Sequence, residues 1–191
     1  MLIKKSKAQV ALLSLILLTV NLPLASHAAE NKTIPGLIKA KGKLSQEHKD
    51  TKLNYDLSKE IPMGGIHNAY WANCQAWSTP VAAEYAIHSM EHGATWIAYN
   101  NSIKPSEIKI LENLTLNNPF LLVTKVPSAK DPITITAWGF QIKAKKASDP
   151  RISLFIKTYT NSKTTPELGA PCQNGLTDPL LAATPQSIKR K

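Results

Sequence analysis

The sequence predicts a single α+β domain carrying a small, mostly antiparallel sheet and about three helices. Three observations lead there. Short runs of β-forming residues alternate with segments whose apolar residues recur every three or four positions. The region after residue 28 holds 163 of the 191 residues, enough for one domain with a real core. Its two cysteines, Cys74 and Cys172, are far enough apart to tie the end of such a domain back to its beginning.

Residues 1–28 read as a secretory signal peptide. Lys4, Lys5 and Lys7 form a basic start, and Val10 to Val20 is an apolar run. Ser26-His27-Ala28 offers small residues for cleavage, which sets the expected mature start at Ala29. The expected location is therefore periplasmic or secreted. No later stretch approaches about 18 apolar residues, so no membrane span is expected in the mature chain.

Residues 29–60 form a lysine-rich arm. Gly36 and Gly42 interrupt it, and its few apolar residues, Leu44, Leu53, Tyr55 and Leu57 among them, leave docking and mobility both open. His48 stands between charged neighbours and is expected to be solvated. Residues 61–172 form the domain. Met63-Gly64-Gly65 makes a turn that can aim His67 and Asn68 inward.

Thr79 and Pro80 mark the expected start of a helix over 80–92, which Gly93 stops. Residues 94–99 predict a strand, and 105–113 a second helix, with Ile108, Leu111 and Leu114 at three-residue spacing. Strands are expected over 120–126 and 133–138. The segment 140–144 either extends the latter or starts a fourth strand after Gly139. Asp149 caps a third helix over 150–159. Residues 173–191 are expected to be an irregular basic tail.

The formal charge of +10 falls to +7 once the three signal lysines are removed. The remaining basic residues are scattered rather than aligned, so nucleic acid is not an expected partner.

The chemistry-bearing residues concentrate between Met63 and His92. His88 and His92 are four apart, which places both imidazoles on one helical face. Glu84 precedes them by one turn and Glu91 lies beside them. His67 follows the Gly-Gly turn, and Cys74 lies close by. Imidazole suits zinc, copper, iron and nickel. The expected metal ligands are His67, His88 and His92. Glu84, Glu91, Met63 and Asn68 serve as outer or auxiliary groups. Met90 points away and is read as core packing. Cys74 either pairs with Cys172 in a disulfide, as an oxidising compartment favours, or supplies a thiolate ligand.

The expected function is binding of copper, zinc or iron in metal acquisition or handling, with an envelope transporter or receptor as a partner. Two alternatives stay open. One is non-covalent haem binding, using one of these histidines and the tryptophans; no C-x-x-C-H motif is present. The other is a zinc hydrolase, because His88-Ser89-Met90-Glu91-His92 fits H-x-x-E-H with Glu91 as the catalytic base.

Several blocks together resemble a bacterial family of exported or membrane-anchored domains of unknown function. They are Gly64-Gly65-Ile66-His67-Asn68, Trp71-Ala72-Asn73-Cys74, His88 through Ile97, Ala137-Trp138-Gly139, and Pro166-Glu167 with Cys172. The resemblance covers Ile61 to Cys172. It implies that His67, Cys74, His88, Glu91, His92 and Cys172 belong to the family pattern, and it implies no reaction.

Overall fold

The structure is a computed structural model and describes residues 33–178. The expected signal peptide, and the tail from residue 179 onward, lie outside the described residues.

Five strands form one sheet in the order β1-β5-β4-β2-β3. They are β1 (Ile38–Lys39), β2 (Thr95–Tyr99), β3 (Leu121–Lys125), β4 (Ile133–Ala137) and β5 (Phe140–Ala144). The β1–β5, β5–β4 and β4–β2 pairings are antiparallel, and β2–β3 is parallel. A parallel pair needs a crossover, and α2 (Pro105–Asn113) with a following 3₁₀ turn supplies it. β4 and β5 are separate strands joined across Trp138-Gly139.

Side-chain alternation along β2 divides the core. Trp96 and Ala98 face a cluster with α1 (Ala83–Glu91), whereas Ile97 and Tyr99 face one with α2 and α3 (Pro150–Tyr159). Helices thus cover both faces, and every residue of β2 and β4 is buried. α2 and α3 match their predicted bounds. Leu111 on α2 is fully buried with Ile108 and Leu114 packed around it, while Ile152 and Phe155 fill the α3 face. Asp149 caps α3 by accepting the Arg151 N–H at 2.9 Å.

α1 departs from expectation at its start. It begins at Ala83 rather than Pro80, its N-cap is Ala82, and the Thr79 hydroxyl caps nothing. The cause is tertiary. Residues 75–77 pair beside β3, with Trp77 N–H to Val123 O at 2.8 Å and Val123 N–H to Gln75 O at 3.0 Å. That pairing keeps the chain extended until Val81 has docked in the core.

All nine residues of α1 are buried, including Glu84, His88 and Glu91. Its end follows prediction. Gly93 N–H bonds Met90 O at 3.0 Å and Ala94 N–H bonds Ser89 O at 2.9 Å, the paired bonds of a Schellman motif. Gly93 has φ +104°, which a β-carbon would oppose.

The arm docks. β1 adds to the sheet edge, Leu53 N–H reaches the Glu84 carboxylate at 2.9 Å, and Tyr55 donates its hydroxyl proton to the Ile66 carbonyl. Leu44, Tyr55 and Leu57 pack on the α1-side core. At the other end, Cys74 and Cys172 form a disulfide across 98 positions. Residues just after it are pinned too: Leu176 bonds Trp71 O at 2.8 Å and Asn73 N–H at 2.9 Å. The arm and the first residues after Cys172 therefore pack on the domain.

Candidate metal centre

The last turn of α1 projects His88 and His92 to one side, as the four-residue spacing requires. Their Nε2 atoms stand 3.0 Å apart. The Gly64-Gly65 turn brings His67 to the same place. Gly64 has φ +130°, and a β-carbon there would lie 2.9 Å from Leu44 Cδ1 and 3.0 Å from the Trp138 ring. Only glycine permits this approach of backbone to indole.

Each of the three rings is oriented by a backbone carbonyl. His67 Nδ1 lies 2.7 Å from Gly65 O, His88 Nδ1 2.7 Å from Asn68 O, and His92 Nδ1 2.8 Å from Pro171 O. A carbonyl only accepts, so all three Nδ1 atoms carry protons. In the neutral rings each Nε2 then bears a lone pair. His88 and His92 aim these lone pairs at each other, while the 2.7 Å hydrogen bond between His67 Nε2 and Glu91 Oε2 needs a proton that a bound ion would displace.

Glu91 completes the group from the same helix. Its Oε2 lies 2.7 Å from His67 Nε2 and 3.3 Å from His48 Nε2. His48 is not a free solvated side chain. It is 38 % exposed, and its ring packs 4.5 Å from His67 and 4.8 Å from His88. Two main-chain bonds hold it: Lys49 N–H to His67 O at 2.7 Å and His67 N–H to Glu47 O at 3.0 Å. On the far side, Glu167 Oε2 lies 3.2 Å from His92 Nε2.

The donors fall into two overlapping sets, His48, His67, His88 and Glu91, and His88, His92 and Glu167. The three predicted ligands therefore do not converge as one triad; His88 stands between the other two. Both His48 and Glu167 lay outside the predicted ligand set.

Aromatic rings wall the cluster. Trp71 packs 4.7 Å from His92 and 5.5 Å from His88, and Trp138 meets His67 edge-on at 5.9 Å. Burial pushes the His88 pKa down to about 3. The rings of His92, His67 and His48 reinforce this, against an upward push from the Asn68 carbonyl. At Glu91 burial acts upward, but the His67 hydrogen bond and the neighbouring imidazoles outweigh it and lower the pKa.

The remaining expected site residues do other things. Glu84 receives Leu53 N–H and so fastens the arm. Met63 lines a surface cavity with Leu44, Tyr55 and Gln141, and its carbonyl accepts the Gly139 N–H at 2.7 Å. Asn68 orients His88 through its backbone, while its own amide N–H group is buried without a partner. Met90 is fully buried in the core, as expected. Cys74 is consumed by the disulfide and offers no thiolate.

No curated protein and no solved structure matches the chain. A family model described as a protein of unknown function (DUF3105) matches residues 47–174, more than half of the chain and every member of the cluster from His48 to Glu167, and the chain belongs to that family.

Proposed function

We propose that the protein binds a transition-metal ion, copper, zinc or iron, in this cluster and serves in metal acquisition or handling outside the cytoplasm. The observation that carries the reading is the 3.0 Å contact between His88 Nε2 and His92 Nε2 while both Nδ1–H groups are donated to carbonyls. Two lone pairs at that separation repel. A cation between them, or a proton on one ring, turns the contact favourable. Imidazole binds zinc at about 2.0–2.1 Å, which places two tetrahedral donors a little over 3 Å apart. The position at the C-terminal end of α1 also favours a cation, since the helix dipole is negative there.

Handling is favoured over catalysis because the Glu91 carboxylate stands among the donors that would hold the ion, 2.7 Å from His67 Nε2 and 3.3 Å from His48 Nε2, rather than apart from them as a base. A bare ion is favoured over haem because His67, His88 and His92 are each no more than 5 % exposed. A macrocycle would need one of those faces opened.

Elemental analysis tests the reading. The protein is purified without affinity tag or chelator, beside a His88→Ala/His92→Ala variant whose folding is checked by circular dichroism. Copper, zinc or iron in the parent and its loss from the folded variant are expected. Should the double variant unfold, His88→Gln serves in its place. A parent that stays metal-free after reconstitution overturns the reading.

A further inference from the structure

We infer that the cluster is a two-ion centre: one ion at His48, His67 and Glu91, and a second at His88, His92 and Glu167. The inference rests on the metal-binding reading and extends it to stoichiometry and to Glu167 as a ligand.

The donor count leads to it. Six side chains converge, and they belong to two sets that share only His88. A single Nε2 lone pair serves one ion. His88 Nε2 stands 3.0 Å from His92 Nε2, and His92 stands 3.2 Å from Glu167 Oε2, so these three close one set. What remains is complete by itself: His67 and His48 on either side of Glu91 Oε2, at 2.7 and 3.3 Å. Each set is then two imidazoles and one carboxylate. Three such donors suit zinc or iron(II) and leave coordination positions for solvent. One ion placed in the first set leaves His92 and Glu167 facing each other unused.

The two sets are built alike. Each has buried donors, and each has one donor at the surface, His48 or Glu167, at 38 % and 47 % side-chain exposure. Each surface donor is fixed through main-chain bonds to a buried one. The strand-like pairing with His67 holds His48, and Glu167 N–H bonds Glu91 O at 3.0 Å. The loop bearing Glu167 is further held where Pro171 O accepts His92 Nδ1–H, and by the disulfide at Cys172. This is more anchoring than a solvated glutamate needs. The rings of His67 and His88, one from each set, lie 4.9 Å apart, so the two sets adjoin. Mutual repulsion makes the second ion the weaker bound.

Cobalt(II) is the probe. Metal-free protein is titrated in a non-coordinating buffer while the visible d–d absorption is followed, and coupling between ions is read by electron paramagnetic resonance. The parent is expected to saturate at two equivalents, tight then weaker, with a coupled spectrum. Glu167→Ala and His48→Ala, both surface changes, are each expected to saturate at one equivalent, uncoupled, with unchanged circular dichroism. A parent that saturates at one equivalent overturns the second ion and leaves the metal-binding reading standing. Two equivalents retained in Glu167→Ala overturn the assignment of Glu167. No binding by the parent overturns both.

Discussion

Acidifying the metal-free protein should destabilise it through His88 before its carboxylates titrate. The ring is held neutral by burial and by the imidazoles of His92, His67 and His48, with a folded pKa of about 3 against an ordinary value of 6.5. Because the folded value is the lower one, the unfolded chain takes up the proton first. The stability gained from a neutral His88 is therefore fully present above pH 6.5 and is lost as pH falls from there toward 3. Integrating the linkage over that window gives a loss of about 1.4 kcal/mol at pH 5.5 and about 2.7 kcal/mol at pH 4.5. The lowered pKa of Glu91 contributes only further down, since its stabilisation is present above the usual carboxylate value and is lost as pH falls through its folded value.

The assay is urea unfolding with chelator present, at pH 7.5, 6.5, 5.5 and 4.5. The control is His88→Asn, which keeps a donor for the Asn68 carbonyl and does not titrate. The stability difference between parent and variant should narrow by about 1.4 kcal/mol from pH 7.5 to 5.5. Parallel profiles would show that His88 is not held neutral by its surroundings. Bound metal should move the loss to lower pH, since protons and metal compete for the same lone pairs.

Two further changes probe how the site is held in place. Gly64→Ala introduces a β-carbon 2.9 Å from Leu44 Cδ1 and 3.0 Å from the Trp138 ring at φ +130°. It should cost about 1–3 kcal/mol in denaturant unfolding; an unchanged midpoint would show that the turn and indole give way freely. Removing the disulfide with Cys74→Ser/Cys172→Ser opens a closed loop spanning 98 positions. The chain-entropy account puts that at about 4–5 kcal/mol. Because Pro171 is next to Cys172 and orients His92, the same variant should bind cobalt(II) more weakly; equal affinity would refute that coupling.

The elements most legible in the sequence were those with local punctuation. Pro105 and Pro150 mark the first turns of α2 and α3, and Asp149 adds a side-chain cap, so those helices follow prediction. The pairing of His88 with His92 needs only helical geometry. Thr79-Pro80 carries the same kind of punctuation, yet pairing of residues 75–77 with β3 overrides it. His48 and Glu167 were hidden for a related reason, since their approach depends on tertiary docking. Faint signals existed. Leu44, Leu53, Tyr55 and Leu57 give the arm apolar residues to dock, three of which pack on the core. A disulfide joining Cys172 to Cys74 would also carry Glu167, five residues earlier, toward the histidines.

The cost of the cluster is itself an argument about its purpose. Buried polar groups stabilise a fold little, and apolar replacements of similar volume often do as well or better. Here two faces of the sheet are already packed with Trp96, Leu122, Ile97, Val123 and Phe155, so the core does not depend on imidazoles for bulk. Nevertheless the last turn of α1 and the His92 that caps it bury two histidines and a glutamate, and a glycine turn delivers a third histidine. The arm and the disulfide loop each bring one more donor to the rim. Four separate constraints that place donors rather than fill space are what an ion site requires. A histidine cluster serving only the fold would lose stability when its members are removed, whereas one that serves an ion would not, and His48→Leu with Glu167→Leu separates the two: in metal-free protein these two changes should be neutral or stabilising, while cobalt(II) binding is lost at both positions. Destabilisation of the metal-free protein by either change would instead make that side chain a structural tie.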